Sequence, residues 1–140
     1  MTEKIRVLSE AEFEEIFSLL SRSFPEEEYR DREGQRALFR KSPYRVIGYE
    51  EEGALLGILA VWELESVRFA EHLAVAPEAR NRGIGKKLLT WYLQMPLRAG
   101  DEPLPLYIMS YPDPVSREEF LPWKREIYAR VYGVFEESAL

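Results

Sequence analysis

The stretch His72-Leu73-Ala74-Val75-Ala76-Pro77-Glu78-Ala79-Arg80-Asn81-Arg82-Gly83-Ile84-Gly85-Lys86-Lys87-Leu88-Leu89 decides the architecture. It begins as an apolar strand that Pro77 ends. Glycines follow at 83 and 85, and Lys87, Leu88, Leu89, Tyr92 and Leu93 then continue at helical spacing until Pro96. The unit is strand, glycine-bearing turn, helix. A helix that opens this way presents N–H groups without partners and the positive end of its dipole, and glycine lets an anion come close to the backbone. With Arg80, Arg82, Lys86 and Lys87 around it, the turn has what is needed to hold a diphosphate without a metal.

The spacing is not that of a P-loop, because G-x-x-x-x-G-K-[ST] is absent. Nor is it a dinucleotide fingerprint, because G-x-G-x-x-G is absent and the strands before it read as antiparallel. Those strands cover Tyr44 to Tyr49, Leu55 to Leu64 and Val67 to Val75, joined by turns at Glu50 to Gly53 and near Glu65-Ser66, which makes a meander.

Upstream, Ile5 to Leu8 alternates as a strand. Ser9 and Glu12 form an S-x-x-E capping box ahead of the stripe Phe13, Ile16, Phe17, Leu20 and Phe24, and Pro25 stops that helix. A more polar helix is expected over Glu27 to Lys41, ended by Ser42-Pro43. Downstream, Leu97 to Pro105 reads as a loop, Leu106 to Tyr111 as a strand flanked by prolines, and Asp113-Pro114 as a turn. Ser116 and Glu119 form another S-x-x-E cap, Pro122 interrupts, and Lys124 to Tyr132 resumes as a helix with Gly133 at its end. Val134 to Glu136 leaves room for one short strand.

A chain of 140 residues with 46% hydrophobic and 13% aromatic content suits one domain, residues 1–140, with a real core. The absence of cysteine excludes disulfides, thiolate metal sites and a cysteine acyl-enzyme. One histidine without cysteine leaves no spaced ligand cluster, so no metal is expected. A serine hydrolase would have to rest on His72, and no G-x-S-x-G occurs. Net charge −6 argues against a nucleic-acid partner and favours a cationic one. The acidic runs at 26–28 and 50–52 read as solvated turns. The charged N-terminal stretch lacks a signal-peptide pattern and no run is long enough to span a membrane, so the expected address is the cytoplasm.

The quoted stretch resembles motif A of the GNAT (GCN5-related) N-acetyltransferase superfamily, whose pattern is Q/R-x-x-G-x-G/A after a strand. The order of elements from Ile5 to Gly133 is compatible with that family's α/β (α+β) fold, a central, mostly antiparallel mixed sheet flanked by helices. The resemblance implies an N-acetyltransferase that passes acetyl from acetyl-CoA directly to a primary amine, a route that suits a chain without cysteine. It implies that the backbone of Leu73, Ala74 and Val75 pairs with the pantetheine arm, and that amides of Arg80, Asn81, Arg82, Gly83, Ile84, Gly85 and Lys86 hold the pyrophosphate. The Val75 N–H would stabilise the developing oxyanion.

An amine nucleophile must lose a proton, and a carboxylate at the splayed end of that strand is the natural base. Glu71 is the candidate, the other reading being a solvated sheet-edge carboxylate. If the strand is regular, His72 points to the opposite face, in the core or at the surface. Ile127 to Phe135 resembles the family's aromatic-Tyr-x-x-x-Gly-Phe segment, in which a tyrosine serves the departing thiolate. Tyr128 matches, with Tyr132 as its substitute because the spacing to Gly133 is one residue too long.

The family carries two further strands after this helix, so the C-terminal strands are expected to be shortened, with a homodimer partner completing the sheet edge. The same departure opens an alternative function, a non-catalytic acyl-CoA-binding or regulatory module.

Overall fold

A computed structural model describes residues 2–95, 104–108 and 121–132. Its centre is a five-stranded sheet in sequential order, formed by β1 (Glu3–Val7), β2 (Tyr44–Glu51), β3 (Ala54–Glu63), β4 (Arg68–Val75) and β5 (Leu106–Ile108). The first four strands are antiparallel and β5 lies parallel to β4, which gives the mixed sheet the sequence pointed to. The β2–β3 hairpin turns on Glu52 and Gly53, both at positive φ, the conformation that tight hairpins require.

Helices cover both faces. On one side Ile84 and Leu88 of α3 (Ile84–Leu93) press on Gly57. A Cβ at Gly57 would stand 2.9 Å from the Ile84 side chain, so the bare glycine sets how closely α3 approaches the sheet. On the other side α1 (Phe13–Ser23) lies over β3 and β4, burying Phe13, Ile16, Leu19 and Leu20. Burying each of these large side chains is worth about 1.5–3 kcal/mol. The Ser9–Glu12 capping box is present, although it closes a 3-10 turn at Glu10–Glu12 that leads into α1.

The single helix expected from Glu27 to Lys41 is instead three short pieces: a 3-10 turn at Glu26–Glu28, α2 (Arg32–Ala37) and a 3-10 turn at Leu38–Arg40. The break has a local cause. The Asp31 side chain caps the Gly34 N–H and starts a new helix there, leaving Tyr29 to Asp31 as a connecting loop. In α4 (Leu121–Ile127), Pro122 sits in the first turn, where its missing N–H costs nothing, and a π-helical turn follows at Tyr128–Tyr132. Met109 to Tyr111, the turn at Asp113-Pro114, the cap at Ser116 and Glu119, Gly133 and the strand at Val134 to Glu136 lie outside the described residues.

Candidate active site

The site is built on β4. Because the Ala76 N–H donates to the Leu56 carbonyl at 2.8 Å, antiparallel alternation aims the amides of Ala74 and His72 at β3 and those of Leu73 and Val75 away from it. β5 pairs only with Arg68 to Ala70, so among the described residues the outward edge beyond Ala70 is open. Leu73 and Val75 therefore offer backbone groups to an extended ligand, whereas Ala74, grouped with them in the sequence reading, has its amide committed to the ladder.

This edge runs into a cleft of about 510 Å³ lined by Ser23, Phe24, Leu73 to Val75 and the turn from Ala79 to Gly85. Asn81 and Gly83 both have positive φ, and Gly83 at +79° is the N-cap of α3 with no side chain closing the cap. The first N–H groups of the helix thus remain without an intrahelical partner or a cap. Across the cleft, the Ser23 hydroxyl is buried and unpartnered, a polar atom that a ligand in the cleft can satisfy.

The basic flank is less available than its sequence suggests. Arg80 Nε donates to the Val75 carbonyl at 3.2 Å, and Arg82 is ion-paired with Glu51 of β2. Lys87 reaches Glu3 of β1 at 3.0 Å and lies over the Tyr49 ring. These bonds hold Glu51 and Glu3 below the ordinary carboxylate range, through Arg82 and Lys87 respectively, and pin the turn to the first two strands. Burial raises the Tyr49 hydroxyl that bridges the two carboxylates. Lys86 is exposed. The turn is shaped chiefly by backbone and glycine, with side-chain cations at its margin.

At the other end of the open edge, Ala70 and Glu71 together face Val61, so β4 carries a β-bulge there. The extra residue overturns the expectation that Glu71 and His72 point to opposite faces. Both lie on the same side, with Glu71 Oε1 3.7 Å from His72 Nδ1. Nor is Glu71 a solvated edge residue, since its side chain is 5% exposed. Arg30, from the loop ahead of α2, donates to both of its oxygens, at 2.9 and 3.1 Å, and Trp62 Nε1 adds a bond at 3.3 Å. Burial opposes the charge on Arg30, yet its bonds to Glu71 outweigh that and raise it above its usual value. His72 donates from Nε2 to the Glu28 carbonyl at 2.8 Å and packs on Phe24, which also lines the cleft.

Tyr132 packs its ring against Phe69 and against Tyr128, the candidate from the sequence, at 5.2 Å between centroids. Burial, then the charge of Glu71, raises the Tyr132 hydroxyl and keeps it protonated. Tyr128 meets this group through Tyr132. Arg30 escaped the sequence reading because it stands 41 residues from Glu71. Among the described residues no cluster of His, Cys, Asp or Glu could hold a metal, and no helix is long and apolar enough to cross a membrane.

The acetyltransferase (GNAT) family pattern matches residues 12–126, and the chain belongs to that family, whose members take acetyl-CoA as donor in N-acetyl transfer. Solved structures agree on the fold. A ribosomal-protein-alanine N-acetyltransferase of Brucella melitensis biovar Abortus 2308 superposes with TM-score 0.65 at 18% identity, over 80% of this chain and 84% of that one. The PaiA N-acetyltransferase of Thermoplasma acidophilum, solved with coenzyme A, gives 0.58 at 21% identity over 66% and 70%. An aminoglycoside acetyltransferase from an uncultured soil metagenomic sample gives 0.61 at 23% identity over 98% and 94%. Among curated proteins no match is found.

Proposed function

We propose that this protein transfers acetyl from acetyl-CoA to a primary amine by direct attack, with Glu71 as the base. The observation that carries this reading is the open edge of β4, which joins the uncapped turn of α3 at one end to a buried carboxylate at the other. The amides of Leu73 and Val75 take the pantetheine arm, and those from Arg80 to Lys86 take the pyrophosphate, on this reading.

The acceptor ammonium gives a proton to Glu71, directly or through water, and its nitrogen lone pair attacks the thioester carbonyl carbon. The Val75 N–H, aimed at the open edge, steadies the oxyanion. As the C–S bond breaks, the thiolate takes a proton from a tyrosine hydroxyl. Tyr132 is taken ahead of Tyr128 for this because its ring packs directly on Phe69 of β4. The nitrogen's remaining extra proton restores the tyrosine hydroxyl, and Glu71 gives its proton to solvent, leaving amide, free CoA thiol and one proton released.

The test is calorimetric titration of acetyl-CoA and of CoA, followed by a thiol-release screen of amines. Binding lost in Gly83→Glu, with turnover on some amine, supports the reading; no binding to the wild type overturns it. A second reading, a CoA-binding module without turnover, is favoured by the engagement of both Glu71 oxygens with Arg30, and binding without turnover on any amine would select it. The same proposal includes a cytoplasmic address. It also includes a homodimer, supported by the outer edge of β5, which pairs with no further strand among the described residues; light scattering decides that point.

A further inference from the structure

The ion pair at the far end of the open β4 edge is built into the fold. Arg30 lies over the Trp62 ring, and its backbone N–H donates to Gln35 Oε1 at 3.4 Å. Gln35 is itself buried and donates to the Tyr44 hydroxyl at 3.1 Å. The loop is therefore anchored from beneath, and it presents a guanidinium fork, 26% exposed, to a carboxylate that is 5% exposed.

For Glu71 to receive an ammonium, Arg30 must release at least one oxygen. A simple amine or a polycation would then leave a largely enclosed guanidinium without a counter-charge, and removing one partner from such a pair is strongly unfavourable. An acceptor that carries its own oxyanion avoids this, because each half of the pair finds a new partner and no charge is stranded. The planar fork of arginine matches a carboxylate through two parallel bonds. The contact between Arg30 and Glu71 also places the two new partners close together, so the amine and the carboxylate of the acceptor must be close as well.

Resting on the acetyl-transfer reading, we propose that the acceptor is a small zwitterion of the amino-acid type. Its ammonium replaces Arg30 on Glu71 and its carboxylate replaces Glu71 on Arg30. Arg30 is then a specificity-determining residue that touches the substrate, and the closed ion pair is the resting state that a matched acceptor exchanges into.

The experiment uses the full chain with acetyl-CoA and compares the standard α-amino acids with their decarboxylated amines, an alanyl peptide amide and a polycationic aminoglycoside. Thiol release reads turnover, and calorimetry with CoA present reads acceptor binding even where turnover is absent. The wild type is expected to favour at least one free amino acid over its decarboxylated amine, on the order of a hundredfold. Arg30→Gln should erase that preference by losing the amino acid, with CoA titration unchanged, and Arg30→Lys, which keeps charge but not the fork, should fall between. The proposal is overturned if no free amino acid is preferred by about tenfold in either readout, if the peptide amide or the aminoglycoside is the better acceptor, or if Arg30→Gln leaves the ratio intact. Failure of acetyl-CoA to bind is a separate result that removes the acetyl-transfer reading.

Discussion

Replacing Gly85 with alanine should make the protein more stable and its coenzyme site worse. Gly85 is the second residue of α3 and has no positive φ, so alanine fits its backbone. An added Cβ would sit 3.5 Å from Leu73 Cδ2, an ordinary contact, so nothing has to move. Alanine in place of glycine gains about 0.5–1 kcal/mol in a helix, less near its start, which corresponds to a rise in Tm of roughly 2–4 °C for a chain of this size.

The methyl would, however, narrow the cleft between Gly85 and Leu73, where the open strand edge meets the helix. Loss of about 1–2 kcal/mol of ligand binding is a 5- to 30-fold weaker Kd. Gly83→Ala should behave differently. No atom lies within 4 Å of its Cβ, but φ of +79° costs a side chain about 1–2 kcal/mol, so the protein should melt lower. Thermal melts with and without CoA, together with titration, measure both effects. If Gly85→Ala lowered Tm or bound CoA as tightly as the wild type, the argument that this glycine serves the ligand and not the fold would fail.

Glu71→Gln removes the proposed base and should lower kcat on the order of a hundredfold or more while leaving the CoA titration in place; steady-state rates at saturating acetyl-CoA decide it. Tyr132→Phe should slow thiol release about tenfold or more and Tyr128→Phe much less, and equal losses in the two would refute the assignment. The carboxyls of Glu51 and Glu3 are held below the ordinary value of 4.5 by Arg82 and Lys87. Their contribution to stability is complete above that value and is lost as pH falls through the lowered ones. Denaturant midpoints across an acid series should therefore drop below pH 4.5, and Arg82→Gln should flatten the drop.

Much of this could be read from local sequence. The box at Ser9 and Glu12 appears as expected because all its partners lie within a few residues, and the turn from Arg80 to Gly85 opens α3 because proline and glycine act where they stand. The polar helix expected beyond Glu27 broke because Asp31 caps Gly34 more locally than the helical pattern could hold. The bulge could not be read. Phe69, Ala70 and His72 are all buried, so alternation never registers the extra residue between them. The pairs Arg30–Glu71 and Arg82–Glu51 join distant segments, and only the folded sheet brings them together.

The bulge also separates two demands on one strand. In β4 the ladder with β3 accounts for Phe69, Ala70, His72 and Leu73 in register and passes over Glu71. The residue proposed to do the chemistry is thus the supernumerary one, carried by the sheet without being counted in it. Its side chain can be exchanged without touching the ladder, and even deleting it would leave Ala70 and His72 facing Val61 and Ala60 as they do now, in a regular strand without the extra residue. A strand built this way can change, gain or lose its reactive side chain at one position while the parity of the sheet around it stays the same.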